Sequence, residues 1–521
     1  MSEIGDRVRG IRLPFHILPL IAACCSLARP ALADTHYVSL SGGHIAPYTN
    51  WVTAATNIQD AIDASSNGDM VLVSDGVYST GGRVVHGAMT NRVVIDKAIT
   101  VQSVNGPEVT MIKGAGPIGN SAVRCVYVVS NATLSGFTLT NGATRTSGNL
   151  DLEQSGGGAW CESSGVLSNC VLTGNSATSG GGSYNGTLNN CVLTGNSATY
   201  RGGGSYKGTL NNCVLTGNSS DGNGGGSYES TLNNCTLSGN SAYDGGGSYK
   251  GTLNNCVLTG NSADGIGGVG GGSCNGTLNN CTFSGNSAGY GGGLYDSTLN
   301  NCIVYFNTAL SGTNYQSATF NYSCTTPDPG GTGNITNDPQ FVNVSASNFH
   351  LQATSPCINA GTNQAWMIGA VDLDGRPRIF GGTVDMGAYE YTDDTDGDGM
   401  PDWWESMHGM NPAISNAPGS NADGDWMTDV EEYWADTQPT NGLSYFPPLT
   451  VTNAVPGAME LVINPTSTAR VYRIFMNTNL LAAPQAWVPY GSVQPGTGSE
   501  LIFSVTNDLP QENYRAGVGL P

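Results

Sequence analysis

The chain has 521 residues, 75 of them glycine, with charged residues at only 11% and a formal net charge of -21. Sparse charge and abundant glycine exclude a helical bundle and a charge-rich disordered chain, which leaves turn-dense β-structure. The acidic balance excludes nucleic acid and anionic membrane, both of which need basic patches, and makes a cation such as calcium the natural counter-charge.

Arg7, Arg9 and Arg12 precede an apolar run from Phe15 to Ala28 and then Ala31-Leu32-Ala33. That order is a secretory signal peptide over residues 1–33, with the mature chain starting at Asp34. The run is too short and too broken by Pro19 to span a bilayer, and no later segment offers about 18 consecutive apolar residues. Ile21-Ala22-Ala23-Cys24 also resembles a bacterial lipoprotein box, in which case Cys24 would tether the protein by lipid. A secreted or cell-surface monomer is expected.

Residues 34–155 read as a cap and first coils. Ala55 to Ala64 is a short amphipathic helix, followed by a strand from Asp69 to Val73, and together they can cover the end of a solenoid. Strand-like runs follow at Val93–Val101, Val109–Ile112, Cys125–Val129 and Ala132–Leu139.

Residues 156–311 are seven repeats marked by Cys170, Cys191, Cys213, Cys235, Cys256, Cys281 and Cys302, in steps of 21, 22, 22, 21, 25 and 21. Leu188, Cys191, Leu193 and Asn196 also fit a leucine-rich strand, but the rest of each repeat supplies only small and polar residues for a second side. A nine-residue calcium roll fails because nine divides neither 21 nor 22. A parallel β-helix remains, its coils stacked about 4.8 Å apart so that equivalent residues form columns.

Alternation sends Cys191 and Leu193 inward and Val192 and Thr194 outward. Asn196, Asn218, Asn240, Asn261, Asn286 and Asn307 are expected to form a ladder at a bend, in left-handed backbone, bonding amide to amide. The parallel Cβ vectors of the cysteine column suit a buried stack better than disulfides or metal; Cys324 and Cys357, outside it, are the better disulfide pair in an oxidising compartment.

Another column holds Trp160, Tyr184, Tyr206, Tyr228, Tyr249, Cys274 and Tyr295, each after a small or apolar neighbour such as Ala159 or Ser183. If that neighbour points in, the rings point out and form a ladder for an extended glycan. An internal stack that only stabilises the coils is the equal alternative. Catalytic groups are scarce: the repeats contain no His, and only Arg145, Asp151, Glu153 and Glu162 fall near one another. A non-catalytic role is expected, with a polysaccharide lyase or glycoside hydrolase as the alternative.

HYVSLSGG (from His36), TNIQDAIDAS (from Thr56) and GDMVLVSDGVY (from Gly68) resemble the opening of secreted bacterial right-handed β-helix proteins of the pectin-lyase-like superfamily. The GGG and Cys281–Asn286 (CTFSGN) elements are similar to the repeats of chlamydial polymorphic outer-membrane proteins. In residues 312–391, Asp338-Pro339-Gln340-Phe341, Ser355 to Gly361, Asp372 to Arg376 and Asp385 to Glu390 closely resemble the choice-of-anchor Q module. The resemblance covers roughly 35 to 391 and implies fold and export far more firmly than activity.

Residues 392–441 form an acidic module. Asp394 to Glu405 fits the twelve-residue D-x-D-x-D-G-x5-E calcium loop. Asp394, Asp396 and Asp398 would give side-chain oxygens, Met400 its carbonyl, Asp402 a direct or water-bridged contact, and Glu405 both carboxylate oxygens. A second loop offers Asn421, Asp423, Asp425, Met427, Asp429 and Glu432 at the same positions, with Trp426 replacing the turn glycine. Both resemble dockerin-like and thrombospondin type 3 calcium loops. Dockerin-like scaffolding would imply a protein partner, while calcium-stiffened spacing is the simpler role.

Residues 442–521 alternate as strands at Leu461–Ile463, Val471–Phe475 and Leu501–Val505, which suits a small β-sandwich. The expected whole is all-β: a right-handed parallel β-helix, an EF-hand-type calcium-loop module and a β-sandwich-like domain. Its expected partner is an extracellular polysaccharide or surface protein.

Overall fold

The computed structural model describes residues 33–265, 267–380, 382–398, 400–416, 419–424, 427–435 and 437–441, and then the strands 450–455, 458–463, 471–477, 488–495, 501–505 and 513–519. The signal-peptide reading of residues 1–33, with Cys24, lies outside the described residues apart from Ala33. No described helix is long and apolar enough to cross a membrane.

The chain opens with the expected cap. Asn57 accepts from the Asp60 N–H and starts helix α1 (Ile58–Ala64), which buries Ile58, Ala61 and Ile62 in the solenoid core. The strand at Met70–Val73 pairs in parallel with Thr35–Val38 and Thr100–Ser103. Two of the expected runs each prove to be two strands. Residues 93–101 divide into Thr90–Ile95 and Thr100–Ser103, and residues 132–139 into Thr133–Ser135 and Thr138–Thr140. A coil turns a corner at each break, at Lys97, whose ammonium donates to the carbonyls of Ile62, Asp63 and Ser65, and at Gly136, with φ +77°. Apolar residues continue across both corners because the strands on either side face one core.

From there the chain is a right-handed parallel β-helix. Each repeat contributes four short strands, as in Ser183–Tyr184, Thr187–Asn189, Val192–Thr194 and Ser197–Arg201. Each strand pairs in parallel with the equivalent strand one coil on, so Leu188 meets Leu210 and Leu193 meets Leu215, while the strands before the triple glycines shift register at places. The core is a continuous cluster of the inward Leu and Cys columns. All twelve described cysteines are free thiols. Within the column each thiol is satisfied by carbonyls, as Cys191 Sγ donates to Asn189 O at 3.3 Å. The stacked reading therefore holds.

The asparagine ladder is present and buried. Asn196 Nδ2 donates to Asn218 Oδ1 at 2.9 Å and to the Leu172 carbonyl at 2.8 Å, and the pattern repeats through Asn307. Its left-handed backbone was misplaced by sequence. Positive φ belongs to the residue before each ladder residue, a glycine such as Gly195 at +61° except for Phe306 at +59°, and to the asparagine before each cysteine of the column, such as Asn190 at +52°. The ladder residue needs its backbone for coil pairing, so the corner falls to its neighbour. The triple glycines mark the corner where coils come closest. A Cβ on Gly203 would lie 2.2 Å from Ser219 O and 2.5 Å from Gly225 O, so only glycine fits.

Residues 341–391 fold back over the outside of the last coils. Asn255 Nδ2 donates to Val371 O at 2.9 Å, Asn301 Nδ2 to Thr362 O at 3.0 Å, and Ala388 N to Thr282 Oγ1 at 3.0 Å. Val257 and Ile303, outward on their strands, are thereby buried with Phe341, Phe349 and Met386. Cys324 and Cys357 share this cluster as two free thiols close enough to hydrogen-bond, so the expected disulfide is not formed here. The last strands form two three-stranded antiparallel sheets, 450–455 with 458–463 and 501–505, and 488–495 with 471–477 and 513–519. Leu461, Ile463, Tyr472 and Phe503 share a core, as two facing sheets require.

Candidate metal centre

In the first acidic loop, Asp394, Asp396 and Asp398 bring one carboxylate oxygen each within 4.8 Å of one another. Backbone turns hold them there. Gly397 N donates to Asp394 Oδ1 at 2.9 Å, and Met400 N to Asp398 Oδ1 at 2.9 Å. Helix α2 (Asp402–Met407) follows and carries Asp402, whose oxygens accept from Thr395 N and Oγ1, and Glu405.

Glu405 is fully buried, and neither carboxylate oxygen has a hydrogen-bond partner; Asp396 Oδ2 is buried and unpartnered as well. A buried carboxylate without a donor costs several kcal/mol unless a cation or proton answers it. Burial first, and then Asp396, Asp398, Asp402 and Asp394, push the Glu405 carboxyl up to about 7. The donor set is all oxygen, which suits a hard divalent cation. Met400 is buried against Trp404 and Tyr433, so its backbone is anchored beside the carboxylates.

The second loop is joined to the first through Asn416, which no sequence motif singled out. Asn416 N donates to Asp398 Oδ2 at 2.8 Å, and its side-chain amide to Asp429 Oδ2 at 3.1 Å. Asp429 opens helix α3 (Asp429–Ala435) and also accepts from Ala422 N at 2.8 Å. Glu432 is buried on the same helix, and Gly424 N donates to Asn421 Oδ1 at 2.6 Å. Asp423 and Met427 flank Asp425 and Trp426, which lie outside the described residues. The Met427 side chain is buried with Leu461, Ile463 and Phe503.

The aromatic column answers the orientation question and corrects the exposure. Ser183 and its equivalents are buried inward, and the rings form a separate cluster outside the core. Tyr127, Trp160, Tyr184, Tyr206, Tyr228 and Tyr249 stack in order at centroid distances of 4.9 to 5.5 Å. Each ring packs against the next, flat in three contacts and tilted by 48° and 45° on either side of Tyr206, so Trp160, Tyr184, Tyr206 and Tyr228 are only 7%, 8%, 6% and 3% exposed. The rings point out yet offer a ligand little but edges. Cys274 interrupts the run, and Tyr295, half-buried, stands beyond it.

Of the four candidate catalytic residues, Arg145 and Glu153 pair with each other, while Glu162 and Asp151 are engaged by other partners. Glu153 accepts from Ala88 N at 3.2 Å and lies 3.6 Å from Arg145, while Glu162 accepts from Ser130 N at 2.9 Å and Tyr127 Oη at 3.1 Å. The Ser130 amide holds the Glu162 carboxyl below its usual range. Asp151 carries the Trp160 indole on its backbone carbonyl at 2.7 Å. Sequence gave no hint that His86 Nε2 would reach Tyr127 Oη at 3.2 Å.

No protein-family model and no curated protein matches the chain. Solved structures similar to it include a pectate lyase, at 14% identity and TM-score 0.43, covering 68% of this chain and 96% of that one. A rhamnogalacturonan lyase follows at 13% and 0.36, covering 62% and 96%. An alginate lyase from a Paenibacillus species stands at 14% and 0.27, covering 50% and 95%. The parallel coil stacking of the chain itself assigns the fold.

Proposed function

We propose that this is a non-catalytic, exported or cell-surface β-helix protein that binds calcium in its acidic loops and presents its solenoid to an extended glycan. The observation that carries the metal part is Glu405, fully buried with both oxygens unpartnered beside Asp394, Asp396 and Asp398. Calcium would be held by these four carboxylates, the Met400 carbonyl and Asp402, and would supply the positive charge that lets them converge. Asn416 and the Trp404–Tyr433 contact then make the two loops one rigid unit between solenoid and terminal sheets. The lyase or hydrolase alternative is less well supported, because Glu153 and Glu162 are held in local structure rather than aimed at a shared cleft.

Isothermal titration of the chain from Asp34 onward tests the reading. Two unequal sites are expected, the first tighter because the second has Trp426 in place of the turn glycine. With about 2 mM calcium and a dissociation constant of about 0.1 mM, the gain is on the order of 2 kcal/mol. Asp398→Ala should weaken the first site more than any single change weakens the second. Absence of both calcium-dependent heat and protease protection at millimolar calcium would sink the assignment.

A further inference from the structure

Residues 341–391 bury a charge imbalance directly behind the stretch that docks on the last coils. Gly387 N donates to Asn301 O at 2.8 Å and Ala388 N to Thr282 Oγ1 at 3.0 Å. A Cβ on Gly387 would lie 2.8 Å from Ile303 Cδ1, so the backbone there rests on the coil itself. Arg378, fully buried, holds the same stretch from the other side, donating to Asp385 O at 3.2 Å and Gly387 O at 2.5 Å. Its guanidinium also lies 3.4 Å from Glu390 Oε1.

Three carboxyls share this interior with that buried base. Asp372, Asp385 and Glu390 are 1%, 2% and 1% exposed. The half-buried Arg376 pairs with Asp374 at 3.0 Å and meets Glu390 only at its backbone carbonyl, at 3.4 Å. On the coil side Asn280, Thr282, Asn301 and Ile303 bring no titratable group, and the Cys281 thiol donates to the carbonyls of Leu253 and Asn279. Three buried carboxylates against one buried guanidinium leave charge uncompensated, which favours keeping one acid neutral. The donors single it out. Asp385 accepts from Asn359 N and Tyr391 N at 2.6 Å each, and Asp372 from Glu390 N, Asp374 N and Arg376 N at 2.8 to 2.9 Å. Those bonds favour the charged form of both aspartates. Glu390 shares one N–H, that of Asp385, between its two oxygens at 3.1 and 3.2 Å, beside the long contact to Arg378.

We propose that Glu390 is held as a neutral acid at neutral pH and makes residues 341–391 a pH-sensitive clasp, tightest in acid and progressively released from the last coils as the medium turns alkaline. Burial, and then Asp385 and Asp372, push the Glu390 carboxyl up to about 9 against the pull of Arg378. Burial pushes Asp372 up to about 6 and raises Asp385 as well. In the released form Glu390 meets water and returns to the ordinary carboxyl value of about 4. The stabilisation is therefore full below that value and is lost as pH rises toward the docked one, by up to about tenfold in the docking equilibrium per pH unit and proton. Release bares Val257 and Ile303 on the coils, together with Phe341 and Phe349 of the clasp.

Hydrogen exchange tests this on the chain from Asp34 onward at fixed calcium, with the Gly387 and Ala388 amides read as protection relative to the intrinsic rate at each pH. Between pH 5 and 9 their protection should fall by up to about tenfold per unit, while the amides of Leu193 and Leu215 in the solenoid keep theirs. Glu390→Gln, a mimic of the neutral acid, should dock at pH 7 and flatten most of the slope, with the remainder due to Asp372 and Asp385. A flat profile in the intact protein would overturn the proposal without any variant, and so would loss of solenoid protection in step with the clasp. An unchanged slope in Glu390→Gln would show that another group titrates. A Glu390→Gln chain that is undocked or unfolded at pH 7 would show that Arg378 needs an ionised partner, which equally overturns it.

Discussion

Asn218 donates its side-chain amide to Asn240 Oδ1 and Leu193 O, and its Oδ1 accepts from the backbone and side chain of Asn196. It is fully buried, so Asn218→Ala strands donors and acceptors in two neighbouring coils and should cost about 3 kcal/mol in chemical denaturation. Asn211 sits in a second, surface ladder and donates to Asn189 Oδ1 at 2.9 Å. Water can replace that bond, so Asn211→Ala should cost less than about 1 kcal/mol. The period made the column of Asn218 legible in sequence, but which asparagine takes the left-handed corner depends on how coils pair. Asp69 gives a pH-dependent case. Burial raises its carboxyl, but donation from Ser66 N, Asp34 N and His36 outweighs this and leaves it below the usual value. A lowered folded value contributes stability above the unfolded value of about 4, and the contribution is lost as pH falls through the folded value. Asp69→Asn should thus lower the melting temperature at pH 7 and have a smaller effect at pH 3.

At the scale of elements, the buried ring column behaves as an external second core. Tyr206 lies 5.4 Å from Tyr184 and 5.3 Å from Tyr228. Tyr206→Ala should cost about 3 to 5 kcal/mol, whereas Tyr243→Ala, on an exposed ring, should stay within about 0.5 kcal/mol. Thermal melts of the two variants separate the columns. Alternation alone left these side chains open between outward and inward; they turn outward, yet outward does not mean exposed, because neighbouring coils stand close enough for one ring to cover the next. The exposed Tyr200 and Tyr243 escaped notice for the opposite reason: they fall in the most variable stretch of the repeat, where glycines and short insertions hide their equivalence.

Across the whole molecule, the last coils are finished by residues that follow them. Val214, outward on an open coil, is 39% exposed, while Val257 and Ile303, equivalent to it further along, are 3% and 1% exposed beneath residues 341–391. The motifs of that segment were readable, but their docking on Asn255 and Asn301 was not, because it joins residues 116 and 61 positions apart. The acidic cluster of Asp394, Asp396 and Asp398 was readable in the sequence, since its members lie two residues apart; Asn416 was not, since its role exists only when both loops are folded. With Arg145 and Glu153 paired to each other and Glu162 held by Ser130 and Tyr127, incubation with pectin or alginate should release unsaturated and reducing ends at the rate of a blank. Release that is lost in Asp151→Ala or Glu153→Ala would reverse that conclusion.

Each coil pairs with the coil before and after it through the same columns, so a copy of residues 187–208 spliced in after Gly208 would find its contacts already made. Near-identical repeats also invite such changes by unequal recombination. One added coil would lengthen the solenoid by about 4.8 Å and leave the cap and the final overlay as they are. It would also carry its own tyrosine, equivalent to Tyr200, and move Tyr243 one coil further from the original. Length variants of this protein would then keep the same melting behaviour per coil while presenting a longer or shorter face.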